Sequence, residues 1–293
     1  MANNIALANK FLPILDEIYK KGAVTSVFDA RVMTNAFTGV NEIKVLKVGT
    51  VGLGNYSRDT GYPKATVTAA WETMKLTIER GREFSVDRMD DEETLGMTFG
   101  AVVGGYQREH VVPELDAYRF AKYASASGIL KASPGTLTKE TIIGAIDDAV
   151  AKMDEAEVPR TERVLNISTA LQPMLNSALA RQWGSDGTVN TILSGYNDMP
   201  INWVVPGRFY TGITLNDGSS ENGFKPTDTT GKAINFMIVH KPAVLQVVKF
   251  ALPKIFTPEE NQDKDAWKFQ FRLYHDAFVY DNKAKGIYLH AQE

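Results

Sequence analysis

The chain has 293 residues, enough for one large domain or two modest ones, and its 44% hydrophobic and 23% charged content is an ordinary globular balance. A net charge of −3 argues against a dedicated nucleic-acid binder or a membrane-surface protein, both of which need a basic face. With no cysteine, disulfides, CxxC metal sites and thiol nucleophiles are excluded, which fits a reducing cytosol.

The first residues, MANNIALANK, lack a basic leader followed by an apolar core, so no signal peptide is expected. No apolar run approaches the ~20 residues of a membrane span. A soluble chain made in the cytoplasm is the expectation. Residues 11–21, FLPILDEIYKK, predict a short amphipathic helix with Ile14, Leu15, Ile18 and Tyr19 on one face and Pro13 in the first turn. Residues 22–41 show no period. Helix and irregular stretch together read either as an arm lying on another subunit or as a helix docked on its own domain.

Residues 42–48, EIKVLKV, predict a strand, and 49–65, GTVGLGNYSRDTGYPKA, a loop. A clean alternation follows, with Met74, Leu76 and Ile78 on one face and Thr73, Lys75, Thr77 and Glu79 on the other. These pieces predict a long two-stranded excursion with a polar, glycine-rich tip. An isolated hairpin is marginal in water, so the segment around Trp71 is expected to find shelter on a sister copy. Arg80-Gly81-Arg82 is expected to end the run, with a strand resuming at Phe84 and Val86.

Asp87 reads as a helix N-cap, with Asp90, Asp91, Glu92 and Glu93 in the first turns, where the helix dipole favours carboxylates. The helix is expected over about 88–126, carrying Leu95, Phe99, Val102 and Tyr106 and then Ala117, Phe120, Ala121 and Ala124, with a kink or split at Pro113. At 1.5 Å per residue, ~38 residues reach ~57 Å. Gly96, Gly100 and Gly104 make a smooth stripe suited to close backbone approach. Farther on, a helix at 138–153 with Ile142, Ile146, Ala149 and Met153 in register, a strand at 162–167 and a helix at 169–183 are predicted. A strand in NDMPINWVVPG, a polar loop at about 213–232 and a buried strand at 234–240 follow, an alternation of α/β type. Near the end, Phe269, Phe271 and Leu273 alternate with polar residues, and DAFVYDNKAKGIYLHA reads as strand, turn and strand.

Motifs of enzyme chemistry are missing: there is no phosphate-binding glycine loop, no GxSxG and no HExxH. His110, His240, His275 and His290 are not paired at metal-ligand spacing, and the geometry between His110 and Glu114 is spoiled by Pro113. The acidic run 87–93 is the best metal candidate by composition, but it lacks the central glycine and terminal glutamate of a calcium loop. Helix capping explains it more simply, and docking against a neighbour's arginines, with Arg80 and Arg82 as candidates, is a further option.

The order of parts resembles the capsid fold of tailed phages and herpesviruses, the Hong Kong ninety-seven fold, an α+β arrangement. ALANKFLPILDEIYKK, WETMKLTIERGREFSVDRMDDEET, VVPELDAYRFAKYA and FRLYHDAFVYDNKAKGIYLHA are similar to stretches of phage major capsid proteins. The resemblance implies an N-terminal arm at 1–40, an extended β-hairpin loop at 41–80, a peripheral domain at 81–135 and 241–293 with a long spine helix, and an axial domain at 136–240. It implies a structural protein, not an enzyme, that self-assembles into hexamers and pentamers of an icosahedral virion head around double-stranded DNA, touched non-specifically. Assembly in the host bacterial cytoplasm, a separate scaffolding protein, a portal and decoration proteins come with it. No cofactor and no membrane partner are implied. Inter-subunit contacts are expected from Tyr56, Arg58, Tyr62, Lys64, Trp71, Arg80, Arg82, Asp90, Asp91 and Glu92. Some relatives crosslink a loop lysine to a neighbour's asparagine; Lys64 and Asn282 lack any flanking pattern, and no crosslink is expected. Two alternatives stand beside this reading: a nanocompartment shell of the same fold, of encapsulin type, and a metal-dependent enzyme using Asp87, Asp90, Asp91 or Glu93.

Overall fold

The computed structural model describes residues 22–29, 42–49, 51–59, 61–89, 103–178 and 195–293. The helix expected at 11–21, the acidic residues 90–93, and Gly96 and Gly100 lie outside the described residues.

The alternation at 42–48 becomes β1 (Glu42–Gly49), which pairs antiparallel with β2 (Thr68–Lys75). The chain breaks its ladder at Leu76 and Thr77 and resumes as β3 (Ile78–Asp87). The end expected at Arg80-Gly81-Arg82 is not there: β3 runs through, with these residues opposite Leu273, Arg272 and Phe271. Gly81 serves close approach rather than termination, because a Cβ would lie 2.9 Å from the Phe271 carbonyl oxygen.

Residues 103–106 are α-helical, Gln107–Val111 form a π-helical turn, and α1 (Val112–Ser125) follows without a gap. Pro113 therefore does not split the helix. It has no N–H to donate, and its ring would crowd the carbonyl of Glu109. The π turn widens the backbone just there, with the Val112 N–H donating to Gln107 five residues back.

The remaining elements are β4 (Leu130–Lys131), α2 (Ile142–Glu155), β5 (Arg163–Ser168), α3 (Gln172–Ala178), β6 (Gly195–Tyr196), β7 (Met199–Val204), β8 (Ile213–Leu215), β9 (Phe224–Pro226), β10 (Ile234–His240), β11 (Val244–Phe256), β12 (Ala266–Val279) and β13 (Ile287–Ala291). The helix expected from 138 starts at Ile142, since Thr138 and Thr141 bond each other in a turn first. Asn197 and Asp198, read as part of a strand, are instead the two positive-φ residues of the β6–β7 hairpin turn. The polar loop expected at 213–232 holds the small hairpin β8–β9.

Two larger sheets organise most of these strands. The larger has the order β4-β13-β10-β5-β7-β6, with β5–β7 and β4–β13 parallel and the other pairs antiparallel. Every residue of β5 and β10 is buried, as in central strands when both faces of a sheet are covered. One face packs Leu165, Ile167, Phe236 and Ile238 on Ile142, Ile146, Ala149 and Met153 of α2 and Leu175 of α3. The other packs Val164, Met237 and Val239 on Phe120, Tyr123 and Ala124 of α1.

The smaller sheet has the order β11-β12-β3, all antiparallel. Its inner face sets Phe269, Phe271 and Leu273 against Val103, Val111, Val112 and Leu115. Its outer face is polar, with Arg272 bonded to Glu79 and Gln270 to Glu83 across the strands. The helical stretch described from Val103 thus lies first over the small sheet and then over the large one. Residues 241–293 are shared between the sheets: β11 and β12 belong to the small one, while β13 crosses through the turn Asp281–Gly286 to pair with β10.

A buried polar clamp fastens the early chain to α1. Asp116 accepts from the Val24 and Thr25 amides, both at 3.0 Å, and from the Thr25 hydroxyl at 2.7 Å, and it pairs with Arg208 at 3.3 Å. Arg119 donates to the Thr25 hydroxyl oxygen at 2.8 Å and pairs with Asp29 at 3.5 Å.

Candidate assembly surface

The β1–β2 hairpin changes character along its length. At its root, Ile43, Met74 and Leu76 are buried against Leu245 and Val247 of β11, with Val45, Tyr274, Phe278 and Tyr280 around them. The root therefore packs on its own chain, a support that the sequence reading does not foresee. Each such fully buried aliphatic side chain stabilises by ~1.5–3 kcal/mol. One step outward, the Lys47 ammonium lies 3.1 Å from Glu72 and 2.5 Å from Asp281. The hydrogen bond to Asp281 holds the ammonium above its ordinary pKa.

The face opposite the root carries Leu46 directly across from Trp71, 47% and 65% exposed, and Val48 across from Ala69. Val51, Leu53 and Val67 continue this apolar surface toward the tip, with Leu53 fully exposed. Large apolar groups gathered on one strand pair and left uncovered mark an interaction surface.

The tip has its own order. Ser57 and Gly61 exchange backbone hydrogen bonds at 3.3 and 2.8 Å, and Gly61 takes a φ of +77° that suits glycine. The Asp59 amide donates to the Ser57 hydroxyl oxygen at 3.2 Å. These bonds bring Tyr56 and Tyr62 together, with ring centroids 4.9 Å apart, and leave both rings exposed. Arg58 and Lys64 stand exposed beside them. Five of the expected contact residues, Tyr56, Arg58, Tyr62, Lys64 and Trp71, thus share the uncovered part of one hairpin.

Arg80 and Arg82 are elsewhere, on β3. Arg80 grips both carboxylate oxygens of Glu114, at 2.8 and 3.1 Å, and donates to the backbone oxygens of Asn216 and Gly223. Arg82 donates to the Asn222 side-chain oxygen. Arg80 therefore ties α1 to the β8–β9 hairpin within one chain, and Arg82 holds the same hairpin. With Tyr106, Glu109 and His110 they line an open groove of about 710 Å³. Burial raises the Tyr106 hydroxyl pKa. Asp90, Asp91 and Glu92 lie outside the described residues.

Of the residues weighed for metal-enzyme chemistry, Asp87 is among the described residues and Asp90, Asp91 and Glu93 are not. Asp87 accepts the Met89 amide at 3.0 Å, the bond of a helix N-cap. Among the described residues no group of three or more His, Asp or Glu side chains could hold a metal ion, and no helix is long and apolar enough to cross a membrane. His240, His275 and His290 are buried and His110 is exposed. Sequence reasoning missed the buried charges Asp116, Arg119 and Asp276. A signal existed for the first two: both interrupt the apolar stripe of Leu115, Phe120 and Tyr123 on α1.

No protein-family model and no curated protein sequence matches the chain. Solved structures do. A chain of Gordonia phage Cozz is 12% identical, with 92% of this chain and 86% of that one covered and a TM-score of 0.61. A chain from the asymmetric unit of the bacteriophage PhiM1 mature capsid is 13% identical, covered over 90% and 89%, with a TM-score of 0.58. A virus-like particle chain from Pyrococcus furiosus is 11% identical, covered over 96% and 98%, with a TM-score of 0.57. At such low identity the shared property is architecture, and along most of its length this chain has the tailed-phage capsid fold.

Proposed function

We propose that the chain is a major capsid protein: copies join head to tail into hexamers and pentamers, and these close into an icosahedral head around double-stranded phage DNA. One observation carries the reading. The hairpin leaves Leu46, Trp71, Val67 and the Tyr56–Tyr62 pair uncovered on a fold found in phage capsids. A projecting surface that meets a different surface of the next copy generates rings when the rotation closes. The net charge of −3 suits a container whose contact with DNA is non-specific and loose.

The parts are taken as an arm at 1–40, an extended loop at 41–80, a peripheral domain at 81–135 with 241–293, and an axial domain at 136–240. Strands β4 and β13 are the exceptions, counted with the axial sheet to which they are bonded. A separate scaffolding protein, a portal and decoration proteins are the expected partners, with assembly in the host cytoplasm. No catalytic role and no Lys64–Asn282 crosslink are proposed; mature shells should run as single chains on a denaturing gel.

The likeness to the Pyrococcus furiosus virus-like particle keeps a second shell reading in view, a nanocompartment. Nucleic acid in purified shells supports the phage head, and a packaged enzyme supports the nanocompartment. Negative-stain imaging of the purified chain, alone and with a scaffold, tests both. Closed shells are expected, and a monomer at every concentration overturns the shell reading.

A further inference from the structure

The chain passes from hairpin to body through two residues, Leu76 and Thr77, which belong to neither β2 nor β3. The ladder of β3 on β12 stops at the pair Ile78 and His275. Beyond it, side chains of β12 replace the ladder. The Tyr274 hydroxyl donates to the Leu76 carbonyl at 3.1 Å. Asp276 accepts both the Thr77 amide, at 2.9 Å, and the Thr77 hydroxyl, at 3.0 Å, on one carboxylate oxygen.

The other oxygen of Asp276 faces the helix. It accepts the Tyr118 hydroxyl of α1 at 2.7 Å and the Ala277 amide at 2.8 Å. Four donors therefore converge on one carboxylate that is 1% exposed. The apolar contacts of the root, Ile43, Met74 and Leu76 against β11, are non-directional and fix no angle. Hydrogen bonds are directional, and those of Asp276 join the junction of the hairpin to the helix that spans both cores.

We infer that Asp276 is a positioning residue for assembly: its carboxylate sets the pitch of the hairpin and ties that pitch to α1, so that movement of the helix and movement of the hairpin are one event. The consequence for assembly rests on the shell reading above, whereas the coupling itself rests on the bonds. An amide cannot take the place of the carboxylate. Asparagine offers one accepting oxygen and one NH2 group, so in either orientation the Thr77 or the Ala277 N–H faces a donor.

The absence of cysteine makes site-specific spin labels straightforward. Lys64→Cys at the hairpin tip and Glu155→Cys at the end of α2 report the pitch as a distance distribution in the dilute, unassembled full chain. The parent chain should give one narrow peak. Thr77→Val, which removes only the hydroxyl of a solvent-facing residue, should broaden it, and Thr77→Ser should restore it. Asp276→Asn should abolish the single peak, and Tyr118→Phe should broaden it from the helix side. An unchanged narrow peak in Thr77→Val, Tyr118→Phe and a folded Asp276→Asn overturns the inference. If Asp276→Asn fails to fold, the Thr77 and Tyr118 variants decide. Particle formation by the parent chain is read separately: its failure sinks the shell reading and leaves the distance result standing.

Discussion

Lys47 and Asp281, separated by 234 residues in sequence, meet 2.5 Å apart just beyond the buried root of the hairpin. Inward of that pair lie Ile43, Met74 and Leu76, shielded by β11. Outward lie Val48, Val51, Leu53 and Val67, which are all exposed. A fold that ended its business within one molecule would have little use for that contrast. The same strand pair has one apolar face packed on the body and apolar groups left exposed on the other.

Trp71 should therefore matter to assembly and hardly at all to folding. Replacing it with serine removes a side chain that is 65% exposed, and surface changes of that kind shift stability by no more than ~0.5 kcal/mol. The loss of an anchor at a subunit contact is different: about 1.4 kcal/mol per contact raises the concentration needed for assembly about tenfold. Trp71→Ser should keep the parental denaturation midpoint while light scattering shows delayed or absent particles. A variant that assembles like the parent would place the contact elsewhere.

Asp116 should behave in the opposite way. It is fully buried, and its removal leaves the Val24 and Thr25 amides and the Arg208 guanidinium without their acceptor. Breaking a buried charge network by deleting one partner costs ~3–5 kcal/mol. Asp116→Ala should lower the midpoint of chemical denaturation accordingly, with Asp116→Asn in between because it retains one accepting oxygen. A loss below ~1 kcal/mol would show that the clamp adds little to the fold.

What the sequence makes legible depends on range. Ile142, Ile146, Ala149 and Met153 are readable because a helix repeats its buried face every few residues, and all four are fully buried. Phe269, Phe271 and Leu273 are readable because a strand alternates. The hairpin tip is readable from its glycines and polar residues, which brings out Tyr56, Arg58, Tyr62 and Lys64. The intrachain bonds of Arg80 are not legible, because its partner Glu114 is 34 residues away and its other acceptors sit on β8–β9, whose strands of three residues are too short to show a period. Asp276 is invisible for the same reason at longer range: Tyr118 is 158 and Thr77 is 199 residues away. Local periodicity exposes faces, but only the folded chain exposes which polar groups meet between them.

The buried histidines predict a loss of stability in acid. Burial, aided by the Arg119 charge, pushes His275 down to about 3, and burial also lowers His240 and His290. All three fold as neutral rings, whereas an unfolded histidine takes up a proton near pH ~6.5. Their contribution is thus fully present above about pH 6.5 and falls as the pH drops below it, for His275 down to its folded value of about 3. The slope for one histidine approaches ~1.4 kcal/mol per pH unit. His275→Gln should lower stability at neutral pH and flatten the profile between pH ~6 and ~4 by about that slope. Parallel profiles for parent and variant would mean that His275 is protonated in the folded chain.

Two glycines should respond with opposite signs to the same substitution. Gly144 lies inside α2, and a Cβ there would meet nothing within 4 Å. Alanine at that site removes the entropy that glycine loses in a helix, so Gly144→Ala should stabilise by up to ~1 kcal/mol. Gly81 lies in β3, where a Cβ would come 2.9 Å from the Phe271 carbonyl oxygen, a backbone atom that can yield only if the β3–β12 ladder yields. Gly81→Ala should cost ~1–3 kcal/mol, as overpacking does, and the damage should spread to its neighbours Arg80 and Arg82, which hold the β8–β9 hairpin from that strand. Thermal melts of the two variants read the signs directly. Faster amide exchange along β8–β9 in Gly81→Ala, but not in Gly144→Ala, would trace the strain from the strand to the hairpin it supports, and equal exchange in both would confine it to the ladder.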